Sequence, residues 1–154
     1  MRRPVLRALL FSVVAACVAR HDGRAQTAVP QPPVLTTFTI NGGADTVSAT
    51  SATVTLVHTV VGTTPTEYRI SRRSDFVGAR WLPYASALAI RDWYDESGEA
   101  CGSRRGSHRV TLYLQIRASV GEEVRIVDGQ RQLVPARVES NVLRASICAI
   151  APSE

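Results

Sequence analysis

"HRVTLYLQIRA", His108 to Ala118, decides the fold class. Val110, Leu112, Leu114 and Ile116 fall on one side of an extended chain, and Arg109, Thr111, Tyr113, Gln115 and Arg117 on the other. Strict alternation of apolar and polar residues is the mark of an antiparallel strand with one face in a core and one in solvent. A helix would need apolar residues three and four apart, and no window of this chain holds that period with caps.

The pattern continues in both directions. "ATVTLVHTV" (Ala52–Val60) puts Ala52, Val54, Leu56, His58 and Val60 on one face, with mostly threonines opposite. "LTTFTI" (Leu35–Ile40) is an earlier strand, broken by Gly42-Gly43, and "TEYRIS" (Thr66–Ser71) turns Tyr68 and Ile70 inward. "ARWLPY" (Ala79–Tyr84) contains Pro83, which restricts it to an edge or a bend. "ALAIRDW" (Ala87–Trp93) is a short strand, and "SNVLRASICAI" (Ser140–Ile150) is the last. In the last strand Val142, Cys148 and Ile150 share one parity, and Leu143, Ala145 and Ile147 the other. About seven short strands at turn-separated spacing predict an all-β sandwich of two antiparallel sheets.

The ends of the chain bear on compartment. Of 154 residues, the first 25 begin with basic "MRRPVLR" and continue into apolar "ALLFSVVAA", too short to span a bilayer. Two processing sites follow. "VAAC" places Cys17 after small residues, as in a lipoprotein signal over residues 1–16. "GRAQ" offers cleavage before Gln26, making residues 1–25 a signal peptide. The expected destination is therefore outside the cytoplasm, as an outer-membrane or cell-surface lipoprotein or as a secreted or periplasmic protein. Residues 26–34, rich in Pro and Gln, read as a tether, and residues 35–151 as the folded domain.

Export simplifies charge and cysteines. The formal charge of +5 falls to +2 without Arg2, Arg3 and Arg7, and to +1 when Arg20, Asp22 and Arg24 are removed as well. All 18 basic residues are arginine, scattered apart from Arg72-Arg73 and Arg104-Arg105, with Arg109 near the second pair. No basic helix, zinc-finger spacing or aromatic RNA-binding motif accompanies them, so no nucleic-acid partner is expected. With Cys17 removed or acylated, Cys101 and Cys148 remain as an even pair in an oxidising compartment, where a disulfide is the expected use.

Four separated blocks resemble a bacterial extracellular immunoglobulin-like, or fibronectin-III-like, domain. Phe38, Ile40, Asn41, Gly42, Gly43, Ala44 and Thr46 form the first. Ile70, Ser71, Asp75, Phe76, Gly78, Ala79, Trp81, Pro83 and Tyr84 form the second, "VTLYLQIRASVG" the third and "ESNVLRASICAI" the fourth. The resemblance implies an immunoglobulin-like sandwich, with Trp81 as core or inter-sheet packing. Such domains occur as spacers and adhesive modules in surface proteins, beside enzymes, and alone; the expectation here is a module for binding, adhesion or spacing, with no catalytic residue, cofactor or metal.

Two inserts depart from that pattern. "DWYDESGEACGSRRGSH" (Asp92–His108) lengthens the approach to the "RVTLYLQIR" strand, and residues 122–137 carry "EVRIVDGQRQLV", two alternating runs around Asp128-Gly129. The second is expected to be an extra β-hairpin. Since the last two strands of such a sandwich are neighbours, a Cys101–Cys148 bond would staple the first insert to the sheet.

The candidate contact residues for a protein or glycan at the cell surface are Trp93, Tyr94, Arg104 and Arg105, with adjacent aromatics on an exposed loop. A carbohydrate-binding or accessory role in polysaccharide breakdown is the alternative. Asp92, Asp95, Glu96 and Glu99 could offer oxygens to calcium, but they lack the spacing of a calcium loop. His21, His58 and His108 are isolated, and no nucleophile elbow, zinc helix or phosphate loop is present.

Overall fold

The computed structural model describes residues 31–94, 96–103 and 105–152. Both leader sites, Cys17 included, lie outside the described residues, as does Arg104.

The chain forms an all-β sandwich of two packed sheets. One has three strands in the order β1 (Val34–Ile40), β3 (Val54–Val61), β6 (Ala87–Ile90). The other runs β2 (Thr46–Ser48), β9 (Leu143–Ile150), β7 (His108–Val127), β4 (Glu67–Ser71), β5 (Leu82–Pro83), with β8 (Gln130–Glu139) also paired to β7. Pro83 sits in the edge strand, as its missing N–H requires.

The alternating residues build the core. Leu112, Leu114 and Ile116 of β7 pack with Val54 and Leu56 of β3 and Ile147 of β9, all buried. Each such side chain contributes about 1.5–3 kcal/mol on burial. β1 departs from period two: Leu35, Phe38 and Ile40 all face inward because its register against β3 shifts between Leu35 and Thr37. The bulge absorbs one residue and restores the inward parity.

Asn41-Gly42-Gly43 then carries the chain from one sheet to the other. These residues have φ of 48°, 68° and 91°, a left-handed course that glycine adopts without a Cβ clash. Beyond the crossing, β2 pairs in parallel with β9, Thr46 opposite Cys148. Asn41 tolerates its own positive φ and accepts the Thr55 amide on Oδ1 at 2.8 Å, which ties the crossing to β3.

The folded body starts slightly earlier than the sequence suggests. Pro33, expected in the tether, is buried, and the Thr63 hydroxyl donates to the Gln31 carbonyl.

Trp81 is not in the core between the sheets. It lies on the outer face of the six-stranded sheet, with the Arg69 guanidinium 4.5 Å and the Arg117 guanidinium 4.2 Å from its ring centre. The physical reason is the β4–β7 register, which sets Glu67 opposite Arg117 and Arg69 opposite Gln115 on that face. Arg117 makes a bidentate pair with Glu67 at 2.7 and 2.9 Å, and Gln115 accepts from Arg69 Nε at 2.9 Å. Fixed in this way, the flat guanidiniums present their faces to the indole, and Arg69 also stacks on buried Phe76 at 4.6 Å. The Arg117 hydrogen bond is the main cause holding the Glu67 carboxyl below its ordinary range.

Candidate binding surface

The two inserts differ in how they meet the body. The first leaves β6 at Ile90, and Asp92, with φ of 51°, turns the chain inward. Trp93, expected on an exposed loop, is instead 2% exposed and belongs to the core. Its ring is buried with the core cluster and its Nε1–H donates to the Ser51 carbonyl at 2.9 Å, so both the apolar body and the polar edge of the indole are satisfied. Trp93 is therefore not available as a contact residue. Tyr94 is half-buried, edge-on to Trp93, with its hydroxyl donating to the Gly106 carbonyl at 3.3 Å. Of the four proposed contact residues, Arg105 is the one described as exposed.

The rest of this insert lies along β7. The Arg109 amide donates to the Glu99 carbonyl at 2.6 Å, and His108 Nδ1 is 2.9 Å from the Gly98 carbonyl. A Cβ on Gly98 would stand 2.3 Å from the Arg109 carbonyl oxygen, so only glycine permits this approach. Cys101 and Cys148 form the expected disulfide, with Cα atoms 5.9 Å apart and a sequence separation of 47. Closing a loop of that length contributes about 4 kcal/mol in the chain-entropy account.

An open basin of about 360 Å³ lies beside this insert, lined by Arg72, Arg73, Arg109, Glu99, Ser97 and Thr111. Arg73 is engaged by Asp75 through Nε at 3.0 Å and Nη2 at 2.6 Å, and Arg72 donates to the Tyr94 carbonyl at 3.2 Å. The Arg73 hydrogen bond is the largest cause holding the Asp75 carboxyl at about 2. The basin offers polar contacts. Among the described residues no group of three or more His, Cys, Asp or Glu could hold a metal ion.

The second insert leaves the body. β7 runs on beyond the sandwich to Val127, turns at Asp128-Gly129 and returns as β8, with Val127 opposite Gln130. Asp128 and Gly129 have φ of 52° and 78°, the sign that a two-residue hairpin turn needs at both positions. The expected hairpin is present. Val124 faces Leu133, with Glu122 opposite Pro135 and Ile126 opposite Arg131 on the same side of the ribbon. Val124 is 62%, Ile126 75% and Leu133 68% exposed. Glu123 and Arg125 lie on the reverse side and are ion-paired.

These apolar side chains are the binding candidates that the sequence reading left unnamed. The alternation of "EVRIV" and "QRQLV" is legible in the sequence, whereas the lack of any covering strand is seen only in the structure.

No protein-family model, curated protein or solved structure matches this chain.

Proposed function

We propose that this chain is an exported, non-catalytic immunoglobulin-like module that works by binding, adhesion or spacing at a cell surface. The order β1-β3-β6 opposite β9-β7-β4 supports the immunoglobulin-like reading, since it parallels the A-B-E and G-F-C neighbours of such sandwiches. The Cys101–Cys148 bond supports an oxidising compartment, in keeping with the basic and apolar leader.

The observation that carries the binding role is the uncovered apolar side of the β7–β8 arm, built from Val124, Ile126 and Leu133. Soluble domains seldom leave such a cluster open without a surface to meet it. The carbohydrate alternative loses its best ring with the burial of Trp93 and keeps only the polar basin beside Arg109.

The test is expression of the full chain in a bacterial host, with mass spectrometry of the mature N-terminus and adhesion of the intact cells. A diacylated Cys17 or a free Gln26 supports export, whereas an intact Met1 in the cytoplasm refutes it. Replacing residues 120–136 by a two-residue turn should abolish adhesion, and unchanged adhesion would remove the arm from the proposal.

A further inference from the structure

The arm has a free edge as well as a free face. At Arg117, β7 is paired on both sides, to Glu67 of β4 and to Glu139 of β8. Beyond Arg117 the β8 side continues to Gln130, while on the β4 side no strand pairs with β7 among the described residues. An open strand edge presents unpaired N–H and C=O groups, and natural edges are commonly blunted by proline, bulges or charge.

The two edges of the arm differ in this respect. β8 carries Pro135 in its middle, which removes a donor. β7 has its register shift between Ser119 and Glu122, so Glu122–Val127 follows as a regular stretch without proline.

The charges along that stretch select one partner and one register. Glu123 and Arg125 flank Val124 and lie on the same side of the ribbon. When two such edges meet antiparallel about a two-fold axis at Val124, Glu123 of each copy faces Arg125 of the other. Val124 then faces Val124, and Glu122 faces Ile126. Moving the axis to Glu123 or to Arg125 sets like charges face to face, which is unfavourable directly across a ladder. Moving it to Ile126 brings Val124 against the Asp128 turn, where the ladder ends.

We propose that the chain pairs with a second copy of itself, edge to edge along Glu122–Val127, in the antiparallel register centred on Val124. The Glu123 and Arg125 pairs of the two copies then form one alternating cluster of four charges. On the opposite side, Leu133 and Val124 of one copy continue into Val124 and Leu133 of the other, giving a four-strand apolar row. Main-chain hydrogen bonds supply the attraction, and side-chain pairing supplies the register.

Self-pairing rests on the arm being the contact element proposed above. The two fail separately, because one is read from purified protein alone and the other from cells. Sedimentation velocity over a concentration series should show a shift from monomer to dimer for the purified chain. Glu123→Arg and Arg125→Glu should each weaken the dimer roughly tenfold or more. An equimolar mixture of these two variants should recover it, since every facing pair is then Arg against Glu, and recovery also proves both variants folded. A monomer at every concentration would overturn the proposal. So would a dimer indifferent to the charge reversals, as would a mixture that stays as weak as its components.

Discussion

The two inserts interrupt the same sandwich and spend their apolar residues in opposite ways. The Asp92–His108 insert folds back onto the body, where Trp93 joins the core, Gly98 lies against the Arg109 backbone and Cys101 is bonded to Cys148. The β7–β8 arm runs away from the body, held by its own ladder, and leaves Val124, Ile126 and Leu133 in solvent. A segment that returns to the core serves stability. A segment that leaves it keeps apolar side chains that stabilise this chain little, in keeping with the contact role proposed for them. Mutations should therefore separate the two, costing stability in the first insert and association in the second.

The largest effect should come from Trp93→Ala. Removing a fully buried aromatic that also satisfies the Ser51 carbonyl should lower stability by about 3–5 kcal/mol, read from the midpoint of urea unfolding. A loss under about 1 kcal/mol would place Trp93 outside the core and dissolve the contrast. The disulfide comes next. Cys101→Ser with Cys148→Ser should cost about 4 kcal/mol, and reduction of the native protein should reproduce much of that loss. Protection of Cys101 and Cys148 from alkylation in the oxidised protein checks the bond directly.

This contrast shows where the sequence could be read and where it could not. The alternation in β7, the Asp128-Gly129 turn, the edge position of Pro83 and the crossing at Gly42-Gly43 depend on neighbours in sequence, so the pattern discloses them. The Cys101–Cys148 bond is legible by parity on the expectation that Cys17 belongs to a leader. The two tryptophans stand the other way round from what the sequence suggests, because their surroundings are non-local. Trp81 depends on a β4–β7 register that lines up Arg69 and Arg117, and Trp93 on a single inward turn at Asp92. The three-residue strand β2 was also hidden, because its pairing with β9 is parallel and too short to leave an alternating signature. For the candidate surface, the hairpin was legible and its uncovered side was not, since exposure is decided by what fails to pack against it.

The sandwich body has a sensitivity of its own. His58 is buried on the inward face of β3, with Nε2 3.1 Å from the Tyr84 hydroxyl and Nδ1 without a partner among the described residues. Desolvation lowers its pKa below the ordinary histidine value and raises that of Tyr84. The folded state thus binds a proton less readily than the unfolded state. Stability is complete above the unfolded value of about 6.5 and falls as the pH drops from there toward the lowered folded value. His58→Phe should flatten that fall relative to wild type between about pH 7.5 and 5.5. Urea midpoints that run parallel for the two proteins would assign the loss to other groups.

The smallest effect on stability is expected in the arm, and there the comparison is sharpest. Val124→Thr and Leu133→Ser remove exposed apolar atoms that no part of the body covers, while a β-branched residue stays at position 124. The urea midpoint should move by no more than about 0.5 kcal/mol equivalent, as for surface substitutions away from special features. A core strand given the same treatment, for example Leu114→Ser in β7, would not tolerate it, because Leu114 is wholly buried. The two sites lie ten residues apart on one continuous strand, on either side of its register shift between Ser119 and Glu122, which turns Val124 to the face of Arg117 and Ser119 and away from the core face of Leu114. What distinguishes them is the presence of a second sheet over one and not the other. If the arm variants lose several kcal/mol, their side chains are covered in solution and the arm is part of the body. If they keep stability and lose adhesion, the apolar side of the arm is a surface made for contact.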